Sequence, residues 1–294
     1  MSVTKKQEDR KWRRRRRKIL RSIIFSCSII AVAVFVAVGS SMIRSGDGRT
    51  NRYDVEAGNN TYDNAVIENS KISEKNKIQN NQSMLDDIMN STQYPKQLKD
   101  LALKNEEALE FVYDYPAEHV KEHTIDLTEE ASMDSVPLFV QWDKRWGYEK
   151  YSGNFFAASG CGPTTLSMVV VYLTHNREAS PIAVAKYSKE AGYSVDGSGS
   201  SWTLISEGCM HYGVKAKAVA LDESRMKAEL DEGHPIVVNV GPGDFTDTGH
   251  FMVITGYDDE GFSINDPNSI EKSGKRWLFK NISSQIRAVW SMYV

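Results

Sequence analysis

Apolar residues are spread unevenly along the 294-residue chain. Ser22–Ile43 is uncharged and mainly apolar over 22 residues. About 20 such residues cross a bilayer as a helix. From Arg44 to Ser91 the pattern disappears into polar, Asn-rich sequence with no sustained apolar period. That composition predicts a flexible stalk over 44–91, reaching roughly 40 Å root-mean-square if fully flexible. The period returns at Tyr94–Tyr113, where Leu98, Leu101, Ala102, Ala108, Leu109 and Val112 recur at helical spacing behind Pro95. They predict a helix that packs on the body as a brace.

Beyond it, Val136–Trp142 reads as an extended lead-in, and Leu166–Leu173 as the apolar body of a helix opening near Cys161. Pro181–Ala191 is a second helix. Ser201 caps a third over Trp202–Tyr212, with Gly213 as its stop. The later half favours strands. Val214–Val219, Pro235–Val240, Phe251–Tyr257, Phe262–Asn265, Trp277–Phe279 and Ala288–Tyr293 are candidates, and a helix over Glu223–Leu230 ends at Gly233. Phe251–Tyr257 and Phe262–Asn265 join through the turn Asp258–Gly261 as a hairpin. Helices first and antiparallel sheet second is an α+β pattern.

Charge changes the picture at the N-terminus. Residues 1–21 carry eleven positive side chains against Glu8 and Asp9, which is +9 in a chain of net −3 and leaves −12 for the rest. A basic run suggests nucleic acid in isolation. Abutting an apolar span, it instead holds the N-terminal side in the cytoplasm and sends the body outside. Residues 1–21 are thus read as a cytoplasmic tail and 22–43 as a signal anchor. Ala37-Val38-Gly39 offers the small residues of a cleavage site, so a cleaved signal and a secreted body is the competing reading. The length of the apolar run favours the retained anchor.

The candidate chemistry lies in Gly160-Cys161-Gly162-Pro163-Thr164-Thr165. Pro163 suits a first helical turn, and a thiol at a helix mouth faces unpaired N–H groups and the positive end of the dipole. Both favour thiolate, the nucleophilic form. Gly249-His250 opens an apolar strand, and Asn265-Asp266-Pro267 closes the next. His250 is the candidate base, with a pKa near neutrality, and Asp266 the candidate that orients it. A plain hairpin about Asp259-Glu260 pairs Asp266 with Val253, about 10 Å short of His250. A bulge or twist has to close that gap, and Asn265 stays open as a substitute. Gln141, after the extended lead-in, is a candidate oxyanion donor. The bland readings are a packed cysteine, a core histidine at a strand edge, an Asn-Asp-Pro-Asn turn and a surface glutamine. Cys27 falls in the apolar span and Cys209 reads as buried in a helix, so a disulfide scaffold is not expected.

Val136-Pro137-Leu138-Phe139-Val140-Gln141-Trp142-Asp143, Ser159-Gly160-Cys161-Gly162-Pro163-Thr164, Gly249-His250-Phe251 through Gly256-Tyr257, and Asn265-Asp266-Pro267 together resemble the bacteriocin-processing family of cysteine peptidases, in its stand-alone secreted branch. The resemblance covers about 92–294 and implies a papain-like fold and cleavage of peptide bonds, often after double-glycine leaders. It implies Cys161 as nucleophile, His250 as base, Asp266 as orienting acid and Gln141 as oxyanion donor. Transporter-fused members carry the glutamine a few residues before the cysteine, where this chain has Phe155. There is no phosphate-binding Gly-x-x-x-x-Gly-Lys-Ser/Thr loop, no His-Glu-x-x-His and no Gly-x-Ser-x-Gly in the sequence. No nucleotide, metal or serine chemistry is expected, and no cofactor. The expected partners are a peptide or protein substrate and the membrane. Two alternatives stand beside the peptidase: a cell-wall peptide endopeptidase or amidase, and a catalytically silent module that binds peptides.

Overall fold

The computed structural model describes the backbone over residues 59–294, with side chains from Lys71 onward. The basic tail and the proposed membrane anchor lie outside the described residues. Among those described, no helix is long and apolar enough to cross a membrane. The chain divides into two units, Met1–Leu85 and Asp86–Val294.

Helix α1 (Asn59–Asn90) runs through most of the stretch that the sequence predicts to be a flexible stalk. Its residues are polar, but no Pro or Gly interrupts them, so nothing in the backbone opposes a helix. Its last turn belongs to the second unit, where Ile88 is fully buried.

The predicted brace is present but broken. Helix α2 (Lys96–Lys104) ends at Asn105, whose backbone is extended. A single 3₁₀ turn, Glu106–Ala108, leads into α3 (Leu109–Tyr113). Every apolar residue that carried the predicted period is buried. The break at Asn105 lies where its side chain accepts the Glu107 N–H at 3.0 Å in place of a helical bond. That competition is the usual reason asparagine leaves helices.

Helix α4 (Cys161–Thr174) opens at the cysteine. Leu166, Met168, Val169, Val170 and Val171 are all fully buried, so this helix is covered on every side, as an all-apolar helix must be. It ends on His175 in the left-handed conformation (φ 54°), whose ring Nδ1 donates to the Ala131 carbonyl at 2.8 Å. Helix α5 (Pro181–Glu190) packs beside it, with Ser180 capping the Ala183 N–H and Pro181 in the first turn. The predicted Trp202–Tyr212 helix is split into a helical turn, Thr203–Ser206, and a 3₁₀ segment, Gly208–Tyr212, ending at Gly213 with φ 76°. At the junction a Cβ on Gly208 would lie 3.0 Å from the Tyr193 ring.

The sheet has six strands, all antiparallel. In chain order they are β1 (Lys215–Ala218), β2 (Ile236–Val240), β3 (His250–Asp258), β4 (Gly261–Asn265), β5 (Arg276–Trp277) and β6 (Ile286–Tyr293). Their spatial order is β1-β6-β2-β3-β4-β5. Between β1 and β2, Asp222 caps helix α6 (Glu223–Asp231) through the Arg225 N–H at 3.0 Å. The strand predicted over Trp277–Phe279 stops at Trp277, because Phe279–Ile282 turns helical and buries Ile282.

Alternation along the strands gives the sheet two apolar faces. Val237, Phe251, Val253, Trp290 and Met292 join α4 and α5 on one side. Ile236, Val238, Val240, Met252 and Ile254 meet Met226 of α6, Phe262 and Ile282 on the other. Each such side chain contributes about 1.5–3 kcal/mol when fully buried. The α+β arrangement predicted from element order is the one observed.

Candidate active site

Two glycines let the chain close around Cys161. A Cβ on Gly160 would lie 2.6 Å from the Phe156 ring, and one on Gly162 would lie 2.5 Å from the Ser200 hydroxyl. Bulk is therefore excluded on both sides by neighbours already in place, while the thiol itself stays partly exposed. Gly249 is different. A Cβ there would meet nothing nearer than the Val240 carbonyl at 4.0 Å, so no close approach requires a glycine.

His250 is the first residue of β3, and α4 packs on that strand. Its Nε2 donates to Asp266 Oδ1 at 2.7 Å, and the charges of the imidazole and the Cys161 side chain act on one another. With the Nε2–H bound to the carboxylate, Nδ1 is the ring nitrogen left to face a nucleophile. Asp266 is fully buried and His250 nearly so. Burial acts most strongly on His250 and opposes its charge, but the Asp266 carboxylate and the Cys161 sulfur outweigh it and push the imidazole up to about 10. Burial likewise opposes ionisation of Cys161. The His250 hydrogen bond and charge, with the N–H groups of Phe251 and Gly162, overcome it and hold the thiol below its ordinary value. The two shifts are halves of one effect: a charged pair stabilises both partners' ionised forms.

The register question has a definite answer. In the β3–β4 hairpin Asp258 faces Gly261, but Ile254 faces Ile264 and Val253 faces Asn265, with Thr255 as a one-residue bulge. Continuing that register sets Asp266 level with Met252, one residue nearer His250 than an unbulged hairpin would. The ladder then ends, and the turn after Asn265 brings the carboxylate to the ring. Asn265 is occupied elsewhere, donating to the Val136 and Pro137 carbonyls at 3.0 and 3.1 Å. It fastens the extended lead-in to β4.

Gln141 is buried, and its Nε2 donates to the Ala157 carbonyl at 2.7 Å, four residues before Cys161. An amide nitrogen has two hydrogens, so one N–H remains. The Gln141 backbone N–H is bound to the Pro267 carbonyl at 2.7 Å. One residue thus touches both the segment before Cys161 and the loop after Asp266. Beyond Gly162, Ser200 leads into Trp202, whose half-exposed ring stands edge-on to Trp290 at 6.0 Å, and Trp290 lies 6.4 Å from Phe251.

Other cysteine and histidine side chains are absorbed by structure. Cys209 is free and fully buried in the core, where burial pushes its thiol up to about 11. His211 stacks on Tyr187 at 4.0 Å. His234 bonds Glu229 at 3.2 Å. Among the described residues, Glu229, Glu232 and His234 bring three ligand-type atoms within 4.8 Å of one another. Glu229 already accepts from Lys217 at 2.9 Å and Ser291 at 2.7 Å, so its charge is spent on the protein.

Sequence reasoning missed the residues that hold the Asp266 loop. Asn105 Nδ2 donates to the Asn268 carbonyl at 2.8 Å, and Trp142 Nε1 donates to the same oxygen at 3.2 Å. Ser273 Oγ accepts the Asp266 N–H at 2.9 Å. Glu107 accepts from the Ile270 and Glu271 N–H groups and from the Ser269 hydroxyl. These contacts join residues more than 120 positions apart, Ser273 excepted, and no local sequence signal marks them.

No curated protein sequence matches the chain. Among solved structures, the peptidase domain of Streptococcus ComA, a bi-functional ABC transporter involved in a quorum-sensing pathway, is 19% identical over 46% of this chain and 90% of that one, with a TM-score of 0.36. A Bacillus anthracis protein described as a C39-like peptidase is 16% identical over 54% of this chain and 95% of that one, with a TM-score of 0.34. The model of the Peptidase C39-like family matches residues 133–294, more than half of the sequence and the whole stretch from the extended lead-in to the last strand. The thiol, the imidazole and the buried carboxylate all fall inside that match, and the chain belongs to the Peptidase C39-like family.

Proposed function

We propose that this protein is a membrane-anchored extracellular cysteine peptidase of papain-like fold, with Cys161 as nucleophile, His250 as base, Asp266 as orienting acid and Gln141 as oxyanion donor. The observation that carries the reading is the buried 2.7 Å bond from the His250 ring to Asp266, with the ionised forms of Cys161 and His250 stabilising one another. Paired as thiolate and imidazolium, Cys161 attacks the substrate carbonyl carbon, and the carbonyl electron pair moves onto oxygen. The free Gln141 N–H and the Cys161 N–H at the helix mouth stabilise that oxyanion. As the C–N bond breaks, His250 gives its proton to the departing amine and leaves a thioester on Cys161. Water, losing its proton to His250, attacks the thioester. The carboxylic acid departs, and the thiolate–imidazolium pair is restored. Asp266 holds the ring so that one nitrogen always faces the sulfur. Trp202 and Trp290 supply the apolar surface that a bulky substrate side chain would meet.

The export reading rests on the eleven-positive tail beside the apolar span. Cys161→Ala in the full chain should abolish peptide hydrolysis and labelling by a thiol-directed probe at neutral pH, while Cys209→Ala keeps both. Protease added to intact cells should remove the body. Full activity in Cys161→Ala would overturn the mechanism, and a protected body would overturn the topology. Release of wall fragments in place of amino acids from a peptide library would move the substrate to the cell wall.

A further inference from the structure

The loop that carries Asp266 is not held by the sheet. β4 ends at Asn265, and Asp266 retains only an isolated bridge to Ser269. Its place against His250 therefore depends on what ties Asp266–Ser273 down. Inside the loop, the Ser273 hydroxyl accepts the Asp266 N–H and donates to the Ser269 carbonyl at 2.7 Å. From outside come Gln141 and Trp142, and also two residues that precede the family match altogether.

We infer that Glu107 and Asn105 are positioning residues for the proposed triad, a clamp by which the N-terminal brace fixes the Asp266 loop. The inference rests on the catalytic reading above. Asn105 grips the Asn268 carbonyl and side-chain oxygen with one amide nitrogen, at 2.8 and 3.0 Å. Asn268 in turn donates its N–H to Asp266 Oδ1 at 2.8 Å, the same oxygen that receives His250. Two residues on, the Glu107 carboxylate collects the Ser269 hydroxyl and the N–H groups of Ile270 and Glu271, at 2.7 and 3.0 Å for the last two. Bonds to an ionised acceptor are the strong kind.

The broken helix gains a purpose here. A continuous helix over 94–113 would keep Asn105 and Glu107 on the helical path, whereas the extended backbone at Asn105 lets both side chains reach the loop. Glu107 is partly exposed, and Ile270 is half-exposed. Water can therefore replace the lost acceptor, and removing the carboxylate loosens the loop without leaving buried donors stranded. The expected effect is on catalysis before folding.

The test uses full-length Glu107→Ala, Glu107→Gln and Asn105→Ala on the proposed peptidase. Ile282→Ala, fully buried on the opposite face of the sheet, serves as a control for plain loss of stability. Glu107→Ala should lower kcat about ten- to hundredfold with KM nearly unchanged, the size a small misplacement of a catalytic group produces. Alkylation of Cys161 by iodoacetamide at pH 6 should slow in step, and the His250 ring should titrate at lower pH by NMR. Glu107→Gln keeps one acceptor oxygen and should recover part of each loss, with Asn105→Ala between the two. Ile282→Ala should lower the melting temperature and leave the alkylation profile unchanged. Wild-type alkylation and kcat in Glu107→Ala would overturn the clamp alone. A wild-type Cys161 no more reactive at pH 6 than free cysteine would overturn the site reading and the clamp with it.

Discussion

Two of the histidine–carboxylate pairs among the described residues share a chemistry and differ in fate. His250–Asp266 is short, at 2.7 Å, and sealed, with side-chain exposures of 7% and 0%. His234–Glu229 is 3.2 Å, at 27% and 14%. Glu229 divides its charge among the Ser291 hydroxyl, Lys217 and His234, which together hold its carboxyl down at about 2. Asp266 Oδ1 serves His250 and one backbone N–H, and among the described residues no lysine or arginine forms an ion pair with it. The charge of Asp266 is therefore felt by the imidazole, and that of the imidazole by a thiol. A histidine beside a carboxylate becomes a site when the pair is insulated and has a nucleophile to act on. Otherwise it is a strut, here linking α6 to β1 and β6.

The largest effect expected from breaking the insulated pair is in His250→Ala, which removes the proton carrier. Turnover should fall by about 10⁴-fold or more, as when a triad member is deleted. Asp266→Ala should cost less, about a hundredfold, because the ring remains but loses orientation and charge. Asp266→Asn should retain more activity still, since an amide can accept the Nε2 proton. Equal activity in Asp266→Ala and wild type, measured as kcat/KM on one peptide, would sever Asp266 from the site.

The pH dependence sharpens the same contrast. Cys161 must be thiolate and His250 imidazolium at once. Activity should rise as pH climbs through the lowered Cys161 pKa and fall as pH passes about 10, where His250 loses its proton. The linkage sign follows. His250 is raised from 6.5, so its contribution to stability is full below 6.5 and is lost as pH rises through about 10. For Glu229, lowered from 4.5, the contribution is present above 4.5 and is lost as pH falls through about 2. A pH–rate profile beside a pH–melting series checks both.

The smallest effect belongs to the strut. Glu229→Gln should leave kcat/KM unchanged and destabilise the fold by about 1.5–3 kcal/mol, the range for hydrogen bonds to a charged group. Denaturant titration reads the loss, and a fall in activity without a fall in stability would erase the distinction between the two pairs.

Much of this was legible in the chain. The Gly-Cys-Gly-Pro start and the apolar run behind it mark α4, because no surface helix tolerates that many consecutive aliphatics. β2, β3 and β4 show in their β-branched and aromatic runs. What stayed hidden was set by tertiary contacts. The Leu and Ala spacing continues across Asn105, so the break there shows only in the bonds that Asn105 makes. Phe279 looks like strand until Ile282 needs burying. The polar stretch over 59–90 reads as formless because its helix follows from the lack of breakers and shows no apolar stripe. Asp266 could be nominated, but its distance from His250 could not, since nothing in Ile254-Thr255-Gly256 announces a bulge.

That bulge makes the hairpin a ruler. One extra residue at Thr255 advances Ile264 and Asn265 by one position against β3. The interval between His250 and Asp266 is therefore a count of residues as much as a distance. Lengthening the solvent-facing turn at Asp259-Glu260 leaves the ladder below it intact and should be neutral over generations of drift. Inserting one residue into β3 between His250 and Val253 keeps every catalytic side chain yet slides the imidazole about 3.3 Å along the strand from its carboxylate. Indels in descendants of this sequence should therefore collect at the tip of the hairpin and spare the strand between His250 and Val253.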